Sequence, residues 1–180
     1  SRRDNYILLT DDSFFFQLIP LASGETIGSE LYLTAKNPSE IVEIYSFLLE
    51  KRFKGLTINR KVLHEAYSSQ SKPGKSNIWP QTLANLSLKI SYRAETIVEC
   101  VCFLQDHSLS KVITPDKYRF DAINLFTSIL ISIPNQDSFY FLMNQINVIF
   151  KLLPQQKEAT QEALMLALKI LNSGNDGKAI

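Results

Sequence analysis

The chain reads as a mainly helical (α+β) domain: an up-and-down helical bundle or array with a small N-terminal β-hairpin or three-stranded element. Three observations lead there. From Asn37 onward, apolar residues recur at helical spacing in one segment after another. Several of these segments open on a capping residue or a proline. Before Asn37, short apolar and aromatic runs are separated by turn-forming residues instead.

Asn5-Tyr6-Ile7-Leu8-Leu9-Thr10 and Ser13-Phe14-Phe15-Phe16-Gln17-Leu18-Ile19 flank Asp11-Asp12. That pattern predicts a hairpin ended by Pro20. Glu30-Leu31-Tyr32-Leu33-Thr34 alternates and predicts a third strand. A lone hairpin is marginal in water, so this element is expected to pack on the helices.

Asn37-Pro38-Ser39-Glu40 predicts a helix start, with Asn as cap and Pro at the first helical position. Its apolar stripe is Ile41, Ile44, Tyr45 and Leu48, and Gly55 is expected to close it. A short second helix is predicted over Asn59–Ser68, then a polar loop from Ser69 to Trp79 containing Pro73-Gly74. Leu83, Leu86, Ile90, Ala94, Ile97, Val98, Val101 and Leu104 keep one helical face. A single long helix fits them, although the alternation of Leu86, Leu88, Ile90 and Tyr92 leaves a break near Ser91 open. Thr114-Pro115-Asp116 starts the next helix, with Phe120, Ile123, Phe126 and Leu130 inside. Phe139, Leu142, Met143, Ile146, Ile149, Phe150 and Leu153 form the cleanest stripe. Pro154 separates it from a last helix carrying Leu164, Ala167, Leu168 and Leu171. The expected organisation is a β element over 1–36, a helical domain over 37–172 and a flexible tail over 173–180. No internal repeat is legible.

At 180 residues and 45% hydrophobic, the chain suits one domain with a substantial core. No apolar run reaches membrane-spanning length. The opening Ser-Arg-Arg-Asp has no initiator Met and no signal-like segment, so a piece of a longer protein is expected. Cys100 and Cys102 are too close for an ordinary disulfide. Two such cysteines suggest a reducing, intracellular setting, with a cytoplasmic protein peripheral at a membrane as the expectation.

Catalytic signatures are thin. Ser69-Gln70-Ser71-Lys72-Pro73-Gly74-Lys75-Ser76 ends like a phosphate-binding P-loop but has Ser69 where the motif needs Gly. His64 and His107 are the only histidines, and five residues from Cys102 to His107 do not share a helical face. Asp11-Asp12 and Glu40 with Glu43 read as turn and helix-start acids. No metal-ligand spacing is present, and no cofactor is expected.

Charge is the remaining clue. Net charge is only +1, yet residues 51–79 hold seven of the 19 lysines and arginines and one of the 18 acids, Glu65. A local cationic field attracts anions whatever the net charge. The expected ligand-binding set is Lys51, Arg52, Lys54, Arg60, Lys61, Lys72 and Lys75. Ile78 and Trp79 are the expected membrane anchor, since Trp favours the bilayer interface. The competing reading of Trp79 staples it onto Leu83 or Leu86. The functional expectation is a non-enzymatic binding or targeting module of a larger protein. Its partner would be an anionic lipid headgroup, phosphoinositide-like, or an acidic protein surface. A helical protein–protein interaction domain is the alternative. Nucleic-acid binding fits less, because the rest of the chain is acidic and no reader motif occurs. Lys51–Lys54 already have a structural reason, the helix dipole, so Lys72, Lys75 and Trp79 carry most of this expectation.

Overall fold

A computed structural model describes residues 7–9, 25–27, 40–52, 54, 56–74, 76–88, 94–132 and 136–176. Seven helices lie among the described residues: α1 (Ile41–Glu50), α2 (Arg60–Ser69), α3 (Trp79–Leu86), α4 (Ala94–Ser108), α5 (Pro115–Ser132), α6 (Gln136–Ile149) and α7 (Pro154–Asp176). Two three-residue strands, β1 (Ile7–Leu9) and β2 (Glu25–Ile27), precede them.

The expected hairpin is corrected. β1 and β2 pair in parallel, with Ile7 opposite Glu25 and Leu9 opposite Ile27. A two-residue turn joins only antiparallel strands, so Asp11-Asp12 does not join this pair. Ser13–Ile19 and Glu30–Thr34 lie outside the described residues, as does the cap at Asn37. The fold class of residues 40–176 is a helical array.

Local chemistry explains the helix ends. Asn59 has extended backbone, and its side chain accepts from Val62 N at 3.0 Å, so α2 begins on a true N-cap. Thr114 Oγ1 accepts from Lys117 N at 3.3 Å, with Pro115 at the first helical position of α5. The apolar run after Pro80 is two helices, α3 and α4, since α3 ends at Leu86 and Ser87 and Leu88 lie outside it; Ser91 lies outside the described residues. α7 runs on through Ser173 to Asp176.

α1 ends earlier than Gly55, a position outside the described residues. Arg52 adopts φ 60, and its N–H donates to Leu49 O at 2.9 Å. A left-handed residue just past a helix is usually Gly, because a Cβ there is strained. Arg52→Gly is therefore expected to raise stability by about 1 kcal/mol, read as a higher denaturation midpoint. An unchanged or lower midpoint would contradict this.

The helices pack in two layers. α2, α4 and α6 form one layer, α3, α5 and α7 the other, and α1 packs on α2 and α3. Side-chain ties set the directions. Arg60 N donates to Glu99 and His64 pairs with Asp106, so α2 and α4 run the same way. Gln105 Nε2 donates to Ile149 O at 2.8 Å, bringing the ends of α4 and α6 together. Tyr118 with Thr160 and Arg119 with Glu162 align the starts of α5 and α7. The result is three stacked helical hairpins, α2–α3, α4–α5 and α6–α7. Their connections, residues 70–78, 109–114 and 150–153, gather at one end of the array.

The core runs between the layers and includes Leu49, Ile58, Leu63, Phe103, Phe126 and Phe150, all at most 1% exposed. The α6 stripe is as expected, with Leu142, Ile146 and Phe150 fully buried. On α5, Phe126 and Leu130 are buried as expected and Ile123 packs on the core, but Phe120 does not. Phe120 is 60% exposed, and Tyr118, Asp121, Ala122 and Leu125 face inward instead.

Candidate binding surface

The basic segment does not converge. Lys51, Arg52, Lys54, Arg60 and Lys61 are exposed at the α1–α2 corner. Lys72 lies beyond the other end of α2, about 15 Å away for ten residues of helix. Lys75 lies outside the described residues. Two of the cations are already engaged. Lys72 Nζ donates to both carboxylate oxygens of Glu65, at 2.9 and 2.8 Å. Arg60 lies 3.7 Å from Asp106. Lys51, Arg52, Lys54 and Lys61 have no ion pair among the described residues, and Lys51 Nζ sits over the Phe47 ring.

The membrane-anchor expectation for Ile78 and Trp79 is corrected. They are 3% and 5% exposed and belong to the core. Trp79 meets the Tyr67 ring edge-on with centroids 5.5 Å apart and leans on Phe103 at 5.9 Å. Ser69 Oγ accepts from Ile78 N at 3.1 Å, tying the loop exit back onto α2. The physical reason is local: an indole at the first position of a short helix is drawn under the aromatic side chains of α2 and α4.

Beside Trp79 lies a buried polar cluster. Asp121, 1% exposed, accepts from Tyr67 Oη at 2.9 Å, His107 Nε2 at 3.1 Å and Lys117 Nζ at 2.8 Å. His107, 5% exposed, stacks on Phe103 and meets the Tyr67 ring edge-on. Burial alone would push the Asp121 carboxyl up; the hydrogen bonds from His107, Lys117 and Tyr67 hold it below its ordinary value. Burial raises the Tyr67 phenol, and Asp121 adds to the effect, so Tyr67 stays a donor. Asp121 thus ties α2, α4 and α5 together. Sequence spacing placed His107 at a helix end and did not connect it to an acid fourteen residues away.

The other histidine sits at the surface. His64 Nε2 donates to Asp106 Oδ2 at 2.9 Å. Burial raises the half-buried Cys102 thiol, against the opposing pull of Arg60 and with Glu99 and Asp106 adding to the rise. Cys100 is fully buried, and burial raises its thiol as well. No group of His, Cys, Asp and Glu that could hold a metal occurs among the described residues. A shallow groove of about 540 Å³ among α5, α6 and α7 is lined by Arg119, Met143, Glu158, Glu162, Met165 and Leu166. It contains no nucleophile–base pair.

One surface feature went unread in the sequence. Ile113 N donates to Ser110 O at 3.3 Å, closing the turn Ser110-Lys111-Val112-Ile113. Leu153 N donates to Phe150 O at 2.9 Å, closing Phe150-Lys151-Leu152-Leu153. The two turns are equivalent: lysine at the second position, an aliphatic residue at the third, and an aliphatic packed on the core at the fourth. Val112 and Leu152 are 89% and 88% exposed, more than any other large hydrophobic residue in the described core and surface. Turn corners ordinarily carry Gly, Asn, Asp or Ser, so turn chemistry does not account for Val112 and Leu152. Lys111 and Lys151 are exposed and have no ion pair among the described residues. The Gln105–Ile149 hydrogen bond brings both turns to the same end. Between 109 and 114 and between 150 and 153 there is no acid.

Comparisons with protein-family models, curated proteins and solved structures found no match to this chain. No helix among the described residues is long and apolar enough to cross a membrane.

Proposed function

We propose that the chain is a non-enzymatic binding module that docks on an anionic partner through the turn end of its helical array. The observation that carries this reading is the pair of equivalent turns, each presenting an exposed lysine without a carboxylate partner among the described residues. The buried ionisable groups point the same way. Asp121, His107 and Tyr67 are spent on one another, and the carboxylates that line the shallow groove, Glu158 and Glu162, have no histidine or cysteine beside them there. In this reading Lys111 and Lys151 take the role expected of Lys72 and Lys75 with Trp79, since Lys72 is paired with Glu65 and Trp79 is buried.

Each lysine near an anionic surface contributes about 1 kcal/mol, so the two together contribute ~2 kcal/mol before other contacts. Lys111→Glu with Lys151→Glu should elute from a sulfated or phosphorylated resin at clearly lower salt than the parent chain. Equal elution of the two would sink the reading. A second reading rests on Lys51, Arg52, Lys54 and Lys61, exposed at the α1–α2 corner beside the exposed Phe47. That corner would suit an acidic protein partner. Lys54→Glu with Lys61→Glu shifting the elution more than the turn variant would favour it.

A further inference from the structure

We infer that the anionic partner of the turn end is a lipid bilayer, entered by Val112 and Leu152 while Lys111 and Lys151 engage lipid phosphates. The inference rests on the anion-docking reading and names the partner at that same site. Charge complementarity alone does not distinguish a membrane from an acidic protein. The aliphatic corners do. A protein partner would need two separate apolar pockets, each beside an acid and at the spacing of the two tips. A bilayer offers both layers at the right depths: phosphates at the surface and hydrocarbon a few ångströms below. A lysine stem is long enough to stay at the phosphate level while the neighbouring aliphatic residue goes deeper.

The geometry suits shallow insertion. Val112 and Leu152 occupy the third position of closed turns, where the side chain stands away from the fold. Ile113 and Leu153 anchor each turn to the core immediately behind. The tips belong to neighbouring hairpins whose axes lie roughly 8–10 Å apart, so both face one plane at the end of the array. Leu109, 56% exposed, and Val148, 62% exposed, border the same end and widen its apolar footprint. Asp116 is the nearest acid in sequence to the α4–α5 turn, at the start of α5.

The test is co-sedimentation of the chain with phosphatidylcholine vesicles, with and without phosphatidylserine, run beside resin elution. The parent chain should sediment with the phosphatidylserine vesicles. Val112→Ser with Leu152→Ser should lower that partition at least about tenfold while eluting from the resin with the parent. Val112→Phe with Leu152→Phe should raise the partition. The four side chains lie at exposed corners, so helical content by circular dichroism should match in every variant. Resin binding without vesicle binding would overturn the lipid inference and leave the anionic reading standing with a protein partner. Vesicle binding that the serine variant retains would overturn insertion. Failure of the parent chain on both resin and vesicles would remove both readings.

Discussion

Asp121→Ala is expected to lower the stability of the fold by about 3–5 kcal/mol, the cost of breaking a buried ionic and hydrogen-bonded group by removing one partner. Three donors would lose their acceptor at once: Tyr67 Oη, His107 Nε2 and Lys117 Nζ. Two of them are on side chains packed inside, where water does not replace the carboxylate easily. Lys117 is 43% exposed at its side chain and turns to solvent, so it adds least. Denaturant unfolding of parent and variant measures the difference, and a loss under about 1 kcal/mol would refute the role given to Asp121. The same group sets a pH response. Its folded-state pKa is depressed, so its contribution is fully present above the unfolded value near 3.8 and is lost as pH falls through the lower folded value. Acid unfolding of the parent should therefore steepen below about pH 4, and Asp121→Asn should flatten that limb.

Trp79→Ala is expected to cost about 3–5 kcal/mol as well, as for other buried tryptophans. The ring is enclosed by Tyr67 and Phe103, and its removal leaves a cavity between α2, α3 and α4. Asn77 Oδ1 accepts from Trp79 N at 3.1 Å, so the backbone start of α3 survives the change and the loss comes from packing. An exposed membrane anchor would behave oppositely, with stability unchanged and vesicle binding lost. Trp79 is the chain's single tryptophan, so its emission reports the outcome directly. The folded chain should emit at short wavelength, and adding anionic vesicles should leave that emission in place.

Caps and stripes were the legible part of this fold. Asn59, Thr114-Pro115 and the α6 stripe act locally, and local chemistry is written in neighbouring residues. The β-hairpin was misread because strand pairing depends on a partner elsewhere: β1 pairs in parallel with residues that begin at Glu25. On α5, hydrophobicity favoured Phe120 as the inward residue, yet a charged side chain holds the inward place. Asp121 is tolerated there only because His107 and Tyr67 come from two other helices to meet it. The charge cluster between Lys51 and Trp79 was real in sequence and divided in space, since α2 separates its halves. The matching turns were invisible for the converse reason. Lys111-Val112 and Lys151-Leu152 are forty residues apart, have unlike flanks, and become equivalent only when α4 and α6 lie side by side.

Under the proposed docking, the Gln105–Ile149 hydrogen bond and the α4–α6 packing have a kinetic meaning at that end. They pin one turn to the next hairpin, so the two tips keep a fixed separation rather than moving on independent tethers. Once one tip touches a surface, the other meets it at high effective concentration, and two weak contacts release together only rarely.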